Sequence, residues 1–190
     1  MTAMTVAERM NAKQFLKLPE HPAAQRMELI EGEVVVTEPG ALHNYVQFDL
    51  AFALGGWSRS EPGLGRVVLP LDVGIDYRNV YGPDVAWYAE GRVPAREATR
   101  PFGMPDLAVE VRSPSTWRYD IGSKKSGYES NGLPELWLVD TEAHVVLVFR
   151  RSTPEVPTFD VALELYRDQQ LTSPLLLGFA LALAEVVPER

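Results

Sequence analysis

The stretch that decides the fold is PDLAVEVRSPS, residues 105–115, which has the pattern of a β-strand that carries charge. Because side chains alternate between the two faces of a strand, this segment has one apolar face and one mixed face. The apolar face carries Leu107, Val109 and Val111, and the mixed face carries Asp106, Ala108, Glu110 and Arg112. An ionised carboxylate on a packed face is costly unless a cation lies beside it. Glu110 therefore needs a cationic partner, which is either Arg112 on the same face or a metal ion.

The segments on both sides of this strand alternate between helical and extended patterns. Strands are predicted over residues 28–30, 33–38, 66–75, 84–89, 106–112, 135–140 and 145–150. Helices are predicted after a capping box at Asn11, over residues 42–57, and from an N-cap at Asp120 to Gly132. This order predicts an α/β or α+β fold in which a central mixed β-sheet is flanked by helices.

Length and composition describe an ordinary globular chain. The 190 residues are 46% hydrophobic and 23% charged, which excludes wholesale disorder. The chain has no cysteine, so disulfides, thiolate zinc sites and cysteine nucleophiles are excluded. Neither a secretory signal nor an apolar stretch of about 20 residues is present, so we expect a cytoplasmic protein that does not enter a membrane.

Charge is distributed unevenly along the chain. The formal net charge is −8, which argues against a protein that coats nucleic acid without specificity. Residues 92–125 nevertheless contain seven basic and four acidic side chains, so this segment carries +3 and the remainder carries −11. Unless the asymmetry arises by chance, such a segment could receive a phosphate-bearing substrate while the acidic body repels other polyanions.

A second carboxylate opens another predicted strand, in GPDVAWY at residues 82–88. Mg²⁺ commonly uses one or two carboxylates together with phosphate and water, so Asp84 and Glu110 are a candidate pair of ligands. Asp106 is a poorer partner for Glu110, because four residues along a strand separate their α-carbons by about 13 Å. We therefore expect Asp106 to be a turn residue or a supporting residue.

The helix after the charged strand carries three polar side chains four residues apart. Asp120, Lys124 and Tyr128 lie on one side of it, where they either form a solvated face with an ion pair or return toward Glu110. A lysine can accept a proton from water, whereas Arg112 stays protonated and can only neutralise a phosphate or its transition state.

Histidine and serine offer weaker candidates. The three histidines, His21, His43 and His144, are too scattered to indicate a histidine-based metal site. His43 comes at the start of the long predicted helix, where it is either a neighbour of the site or a polar residue at a helix end. The SPST segment, residues 113–116, has no adjacent general base and is predicted to form a turn with capping hydroxyls.

Several motifs in a fixed order carry a family resemblance. They are ELIEGE at residues 28–33, GPDVAWY at 82–88, SPST at 113–116, D-x-x-x-K-x-x-x-Y at 120–128 and G-x-P-E-x-W-L-V-D at 132–140. With these motifs the chain resembles the Uma2 family, part of the restriction-endonuclease-like PD-(D/E)XK superfamily. The resemblance implies a single restriction-endonuclease-like domain over residues 1–190, with a divalent-metal phosphodiesterase site.

The resemblance also implies catalytic roles for individual residues. Asp84 and Glu110 would be the carboxylates of the superfamily motif and would hold the metal ion. Glu28 would be an additional acidic ligand. Lys124 would be the catalytic lysine, moved from the strand to the following helix, and Lys125 is the alternative.

Other residues would surround this centre. The position two residues after the second carboxylate is Arg112 rather than lysine, which departs from the simplest superfamily motif. Arg112 and Lys125 would bind the substrate phosphate. Asp106, Asp120 and Tyr128 would support the residues that touch the metal.

The function implied by the resemblance is a Mg²⁺-dependent endonuclease, able to use Mn²⁺, that hydrolyses DNA phosphodiester bonds through a metal-activated water. Restriction-like nucleases often cut as dimers, so a homodimer is expected by analogy. The alternative is a catalytically inactive nuclease fold that serves as a nucleic-acid-binding or homo-oligomeric interaction module, which the acidic composition and Arg112 favour. Hydrolysis of another phosphate ester is a third reading.

Overall fold

A six-stranded mixed sheet forms the centre of the fold. The computed structural model describes residues 9–19, 26–187 and 189, so His21 lies outside the described residues. From one edge to the other, the strands of the central sheet are β10 (Val161–Tyr166), β9 (Val145–Arg150), β8 (Glu135–Asp140), β7 (Leu107–Val111), β6 (Val85–Tyr88) and β3 (Arg66–Val68). Within this sheet β7 and β8 run parallel, and the other neighbours run antiparallel. The predicted central mixed sheet is confirmed.

A second, antiparallel sheet packs against one face of the central sheet. Its order is β2 (Glu33–Thr37), β1 (Arg26–Ile30), β5 (Asn79–Tyr81) and β4 (Val73–Asp76). Its buried side chains share an apolar cluster with those of β7 and β8. A short pair, β11 (Gln170–Leu171) and β12 (Leu181–Ala182), follows near the end of the chain.

The prediction of one strand over residues 66–75 is wrong. The structure divides this segment into β3 of the central sheet and β4 of the second sheet. Pro70 lies between them, and because proline has no N–H to donate to a ladder, strand pairing is interrupted there. The chain uses this interruption to pass from one sheet to the other.

Two helices agree with their sequence predictions. α1 (Ala12–Phe15) begins with the predicted capping box, in which the Asn11 side chain accepts from the Gln14 N–H at 3.0 Å and the Gln14 side chain accepts from the Asn11 N–H at 2.8 Å. α2 (Ala41–Ser58) is the long predicted helix, and its buried apolar stripe, which includes Leu50, packs on the central sheet. Among the described residues, no helix is long and apolar enough to cross a membrane.

The third helical region joins β7 to β8 and has three contiguous parts. These are α3 (Trp117–Tyr119), a π-helical turn (Asp120–Lys124) and α4 (Lys125–Ser130). The predicted N-cap at Asp120 is wrong, because the helix has already begun at Trp117 and Asp120 lies inside the π turn. Gly132 does follow the helix with a φ of 86°, the left-handed conformation predicted for it. Single π turns inside helices are frequent at functional sites, so this turn is a candidate position for functional residues.

The two faces of β7 are covered by different elements. The apolar face, which packs against α2 and the C-terminal segment, carries Leu107, Val109 and Val111. On the other face Ala108 packs with Tyr128 of α4 and with the second sheet. The predicted alternation is confirmed. Glu110 lies on this second face and is only 3% exposed, so a carboxylate stands in the interior of the fold.

Candidate active site

Four buried carboxylates and one buried lysine converge around the middle of β7. Glu28 comes from β1, Asp84 directly precedes β6, Glu110 belongs to β7, and Asp120 and Lys124 come from the π turn. We call these five residues the carboxylate cluster. The π turn directs Lys124 onto Glu110 of β7, and Asp120 pairs with Lys124 within the turn. The structure thus brings together residues from four separate segments of sequence, with Tyr128 beside them.

Lys124 lies at the centre of the carboxylate cluster. Its Nζ is 2.8 Å from an oxygen of Glu110, 2.9 Å from an oxygen of Glu28 and 3.1 Å from an oxygen of Asp120. Burial alone would lower the pKa of Lys124, but the three carboxylates outweigh burial and hold the pKa well above its usual value. In this arrangement the lysine is a cation that keeps its proton.

Glu110 and Asp120 are crowded by like charges. Glu110 accepts a hydrogen bond from the Tyr128 hydroxyl at 2.8 Å through one oxygen and contacts Lys124 through the other. Burial raises the pKa of Glu110 well above its usual value, and the neighbouring carboxylates raise it further against the opposing charge of Lys124. Burial likewise raises the pKa of Asp120 to about 6. Ionisation of Glu110 and Asp120 therefore carries an electrostatic cost at this position.

Asp84 is held differently, by donors on every side. One oxygen accepts from the Arg26 guanidinium at 2.8 Å, and the other accepts from the Val111 N–H at 2.7 Å and lies 3.1 Å from Nε2 of His43. Burial favours the neutral acid, but these donors together outweigh it and lower the pKa of Asp84 below its usual value. Gln47 also donates to the backbone carbonyl of Asp84 at 2.7 Å. Asp84 is therefore ionised and firmly oriented.

Sequence reasoning missed two of these partners and left a third open. Arg26 stands at the first position of β1 and Gln47 in the middle of α2, and neither lies in a motif that marks it. For His43 the sequence leaves two positions open, beside the site or at a helix end, and the structure places it against Asp84. The Nδ1 of His43 is buried and has no hydrogen-bond partner among the described residues. The four-residue spacing of His43 and Gln47 on one helix face was the signal that could have found this pair.

Three predicted site residues lie outside the carboxylate cluster. The side chain of Arg112 contacts both oxygens of Asp140 at 2.9 Å and also pairs with Glu142, so the alternative ion pair with Glu110 is not formed. The parallel register of β7 and β8 explains this, because Val111 opposite Val139 sets Asp140 beside Arg112.

The other two are Lys125 and Asp106. Lys125 points away from the cluster, with its Nζ 4.6 Å from the ring centre of Phe149. Asp106 accepts from the Ala89 N–H at 2.8 Å and pairs with Arg92 at the other end of β7, so its contacts lie away from the carboxylate cluster, and the supporting role expected for it at the metal remains a prediction. The roles predicted for Arg112 and Lys125 in phosphate binding remain predictions.

The donor set suits a hard divalent cation. The oxygens of Asp84 and Glu110 border a polar cavity of about 30 Å³, which Glu28, Asp120 and Lys124 also line. When all four carboxyl groups are ionised they outnumber the cations Lys124 and Arg26 by two, leaving His43 out of the balance, and a divalent ion would offset that excess. Across the described residues, no group of three or more acidic or histidine side chains forms a ready-made metal site. Two carboxylates completed by water and phosphate are nevertheless an ordinary Mg²⁺ arrangement.

Comparisons with known proteins agree with this fold. The model of the Uma2 family, described as "Putative restriction endonuclease", matches residues 12–184. A crystal structure described as "a putative nuclease belonging to DUF820", from Anabaena variabilis ATCC 29413, superposes with a TM-score of 0.78 at 20% sequence identity. The superposition covers 94% of this chain and 97% of that one, so the two share a fold. No curated protein matches the sequence.

Proposed function

Since this chain belongs to the Uma2 family, we propose that it is a divalent-metal-dependent nuclease that hydrolyses DNA phosphodiester bonds. The observation that carries the proposal is the carboxylate cluster, whose negative excess is buried between two sheets and the π turn. A fold rarely keeps uncompensated charge in its interior without a functional reason. The family description supports a nuclease, and the oxygen donors support a metal such as Mg²⁺ or Mn²⁺.

Asp84 and Glu110 are the residues that would hold the ion, with Glu28 as an additional ligand. When bound, such an ion polarises a phosphoryl oxygen and lowers the pKa of the attacking water. Arg26 and His43 keep Asp84 ionised and fix the direction of its oxygens. These contacts pre-organise the ligand before the substrate arrives.

Lys124 serves this mechanism as a fixed positive charge. Because its pKa is held well above the usual value, it does not take a proton from water in this arrangement. It is placed instead to stabilise the negative charge that develops on the phosphoryl oxygens as water attacks phosphorus and the bond to the leaving oxygen breaks. Tyr128 orients the adjacent oxygen of Glu110 by its hydrogen bond.

The test is cleavage of plasmid, linear duplex and single-stranded DNA with Mg²⁺ or Mn²⁺. We expect Glu110→Gln and Lys124→Met to abolish cleavage, since each removes a charge from the cluster. The control for Glu110→Gln is Glu142→Gln, an exposed carboxylate, and Lys125→Met tests the neighbouring lysine outside the cluster as the alternative. Cleavage that survives in both cluster variants would refute the mechanism, and loss in Lys125→Met alone would assign the catalytic lysine to the alternative position.

A second candidate function is a nuclease fold that binds nucleic acid or self-associates without cleaving. The position of Lys124 favours it, because a lysine ammonium already lies where three carboxylates would otherwise face a metal. Titration calorimetry with Mn²⁺ separates the two. Binding that disappears in Glu110→Gln supports the nuclease, whereas absence of both binding and cleavage supports the inactive fold. Sedimentation in the same buffers tests the expected homodimer.

A further inference from the structure

A groove along α2 carries features that the proposed chemistry does not use. Resting on the proposed nuclease function, we propose that this groove binds a single-stranded segment of nucleic acid, with bases on Phe48 and Phe52 and phosphates on Arg59 and Arg66. The substrate class would then be single-stranded DNA, or duplex with an unpaired stretch. The cavity measures about 550 Å³, far more than the cavity at the carboxylate cluster.

The apolar part of the groove is an exposed aromatic surface. Phe48 and Phe52 are 66% and 73% exposed, and their rings stack with centroids 6.1 Å apart and planes inclined by 22°. Large aromatic side chains normally bury most of their surface. Successive flat rings on a helix are the kind of platform on which unpaired bases stack, and such stacking is tolerant of sequence.

The charged part of the groove is basic. Arg26, Arg59 and Arg66 line it, and no acidic side chain from residues 9–19, 26–187 or 189 does. The groove is therefore locally positive on a chain whose formal net charge is −8. Arginines beside exposed aromatic rings match one nucleic-acid strand, because the arginines can bind its phosphates and the rings can stack on its bases. The acidic remainder of the protein would repel a polyanion that approaches elsewhere.

Two glycines keep the groove open. Gly55 and Gly56 lie inside α2 and line the cavity, and a Cβ added at either one meets no atom within 4 Å. Glycine in a helix interior lowers helix stability relative to alanine, so packing within this molecule does not account for them. Their effect is to leave the floor of the groove free for an occupant.

The groove and the cavity at the carboxylate cluster share Arg26 as a lining residue. Arg26 lines both cavities and donates to Asp84 at 2.8 Å, and Gln47 lines the groove and donates to the Asp84 carbonyl at 2.7 Å. A strand that lies along α2 would therefore reach the proposed ligands past the Arg26 guanidinium. Because the two cavities share Arg26, an occupant of the groove would lie next to the proposed metal ligands, which favours a substrate over an unrelated ligand.

A second copy of the chain fits the groove less well. Self-association through the groove about a two-fold axis would place two basic grooves against each other, and none of the lining residues identified in either groove is acidic. Stacked base pairs of an intact duplex would present only their edges and backbone to the phenylalanines. An unpaired strand offers both an anionic backbone and free aromatic faces, and it satisfies both halves of the groove.

The experiment measures binding in EDTA, so that cleavage plays no part. Fluorescence anisotropy compares a labelled single strand of about twelve nucleotides with a duplex of the same sequence. We expect the single strand to bind more tightly, and Phe48→Ala/Phe52→Ala to weaken its binding by about tenfold to a hundredfold. Gly55→Leu places a side chain in the groove at a position where a Cβ meets no atom within 4 Å, and should weaken binding while the melting temperature rises.

Tyr77→Ala is the matched control, because Tyr77 is an exposed aromatic residue in the turn between β4 and β5 and does not line the groove. Equal affinity for single strand and duplex, or affinity unchanged in the double phenylalanine variant, would overturn the proposal. The proposal would also be overturned if sedimentation showed that Phe48→Ala/Phe52→Ala dissociates a dimer while DNA binding is unchanged. If the protein binds a single strand but shows no metal-dependent cleavage, the proposed nuclease function is refuted and the proposed groove function stands. If it cleaves duplex DNA and the groove variants do not change that cleavage, the groove proposal is refuted and the nuclease function stands.

Discussion

At the residue scale, Lys124 and the carboxylates depend on each other. Its ammonium lies within 3.1 Å of oxygens from three acidic side chains, and it is 2% exposed. Breaking a buried ion pair by removing one partner costs more than the pair contributes, because the remaining charge stays buried. Lys124 is therefore expected to stabilise the fold in addition to its proposed role in the reaction.

We expect Lys124→Met to lower the free energy of unfolding by about 3 kcal/mol or more in EDTA. Urea denaturation measures this change, with Lys125→Met as the control of matched size and sequence position. Part of the loss should return when Mn²⁺ is added, since the ion would occupy the place of the ammonium. A stability equal to that of the wild type would show that the carboxylates are protonated in the native protein.

Glu135 gives a second residue-scale prediction, outside the carboxylate cluster. Burial raises its pKa, although hydrogen bonds from Ser173 at 2.7 Å and from Trp137 at 2.6 Å oppose the shift. The unfolded chain therefore releases this proton at a lower pH than the folded protein does. As the pH rises from the usual pKa of a glutamate through the raised pKa of Glu135, ionisation of Glu135 therefore lowers the free energy of unfolding.

In Glu135→Gln the amide oxygen can still accept from Trp137 and the amide nitrogen can donate to Ser173. We expect the stability of this variant relative to the wild type to increase as the pH is raised from about 4.5 to neutrality. Denaturation at several pH values checks the trend, with the exposed Glu142→Gln as reference. A relative stability that is flat or falls with pH would contradict the raised pKa.

At the element scale, α2 and α4 make opposite use of glycine. Gly56 lies in α2 with open space at its Cβ position, whereas a Cβ at Gly127 in α4 would clash with the buried Tyr81 hydroxyl. We expect Gly56→Ala to raise the free energy of unfolding by about 1 kcal/mol and Gly127→Ala to lower it. Urea denaturation of both variants measures the difference, and stabilisation by both would mean that α4 does not pack on Tyr81 as described.

The same scale explains the errors in the sequence prediction. Helix spacing predicted α2 and placed Asp120, Lys124 and Tyr128 on one side, because the period of a helix is local. The start of the third helical region was misplaced because Asp120 is a good N-cap residue by type, yet here it faces Lys124 inside the π turn. Propensity describes the isolated segment, and burial against β7 selected a different boundary.

At the scale of the whole molecule, a bound divalent ion should stabilise the fold, because it would neutralise the excess charge of the carboxylate cluster. A ligand at one hundred times its Kd adds about 2.7 kcal/mol, which raises the melting temperature of a chain this size by about 5–10 °C. A thermal-shift titration with Mg²⁺ and Mn²⁺ measures this effect. The shift should vanish in Glu110→Gln and persist in Glu142→Gln, and an equal shift in both variants would place the ion elsewhere.

Much about this protein was readable from the sequence alone. The alternation in residues 105–115 determined that Leu107 and Val109 enter one core while Glu110 faces the other way, because strand geometry depends only on neighbouring residues. The order of the predicted helices and strands likewise predicted a mixed sheet flanked by helices, and the motifs in their order carried the resemblance to the Uma2 family. Local periodicity and residue type suffice for conclusions of this kind.

Only the tertiary structure decided which cation faces Glu110. Both Arg112 and Lys124 were available, and the sequence does not contain the register of β7 on β8 that sets Arg112 beside Asp140. The approach of the π turn to β1 and β7 then brought Lys124 to Glu28 and Glu110, residues 96 and 14 positions away along the chain. Contacts at such separations depend on how whole elements pack, since no local period relates the residues that meet.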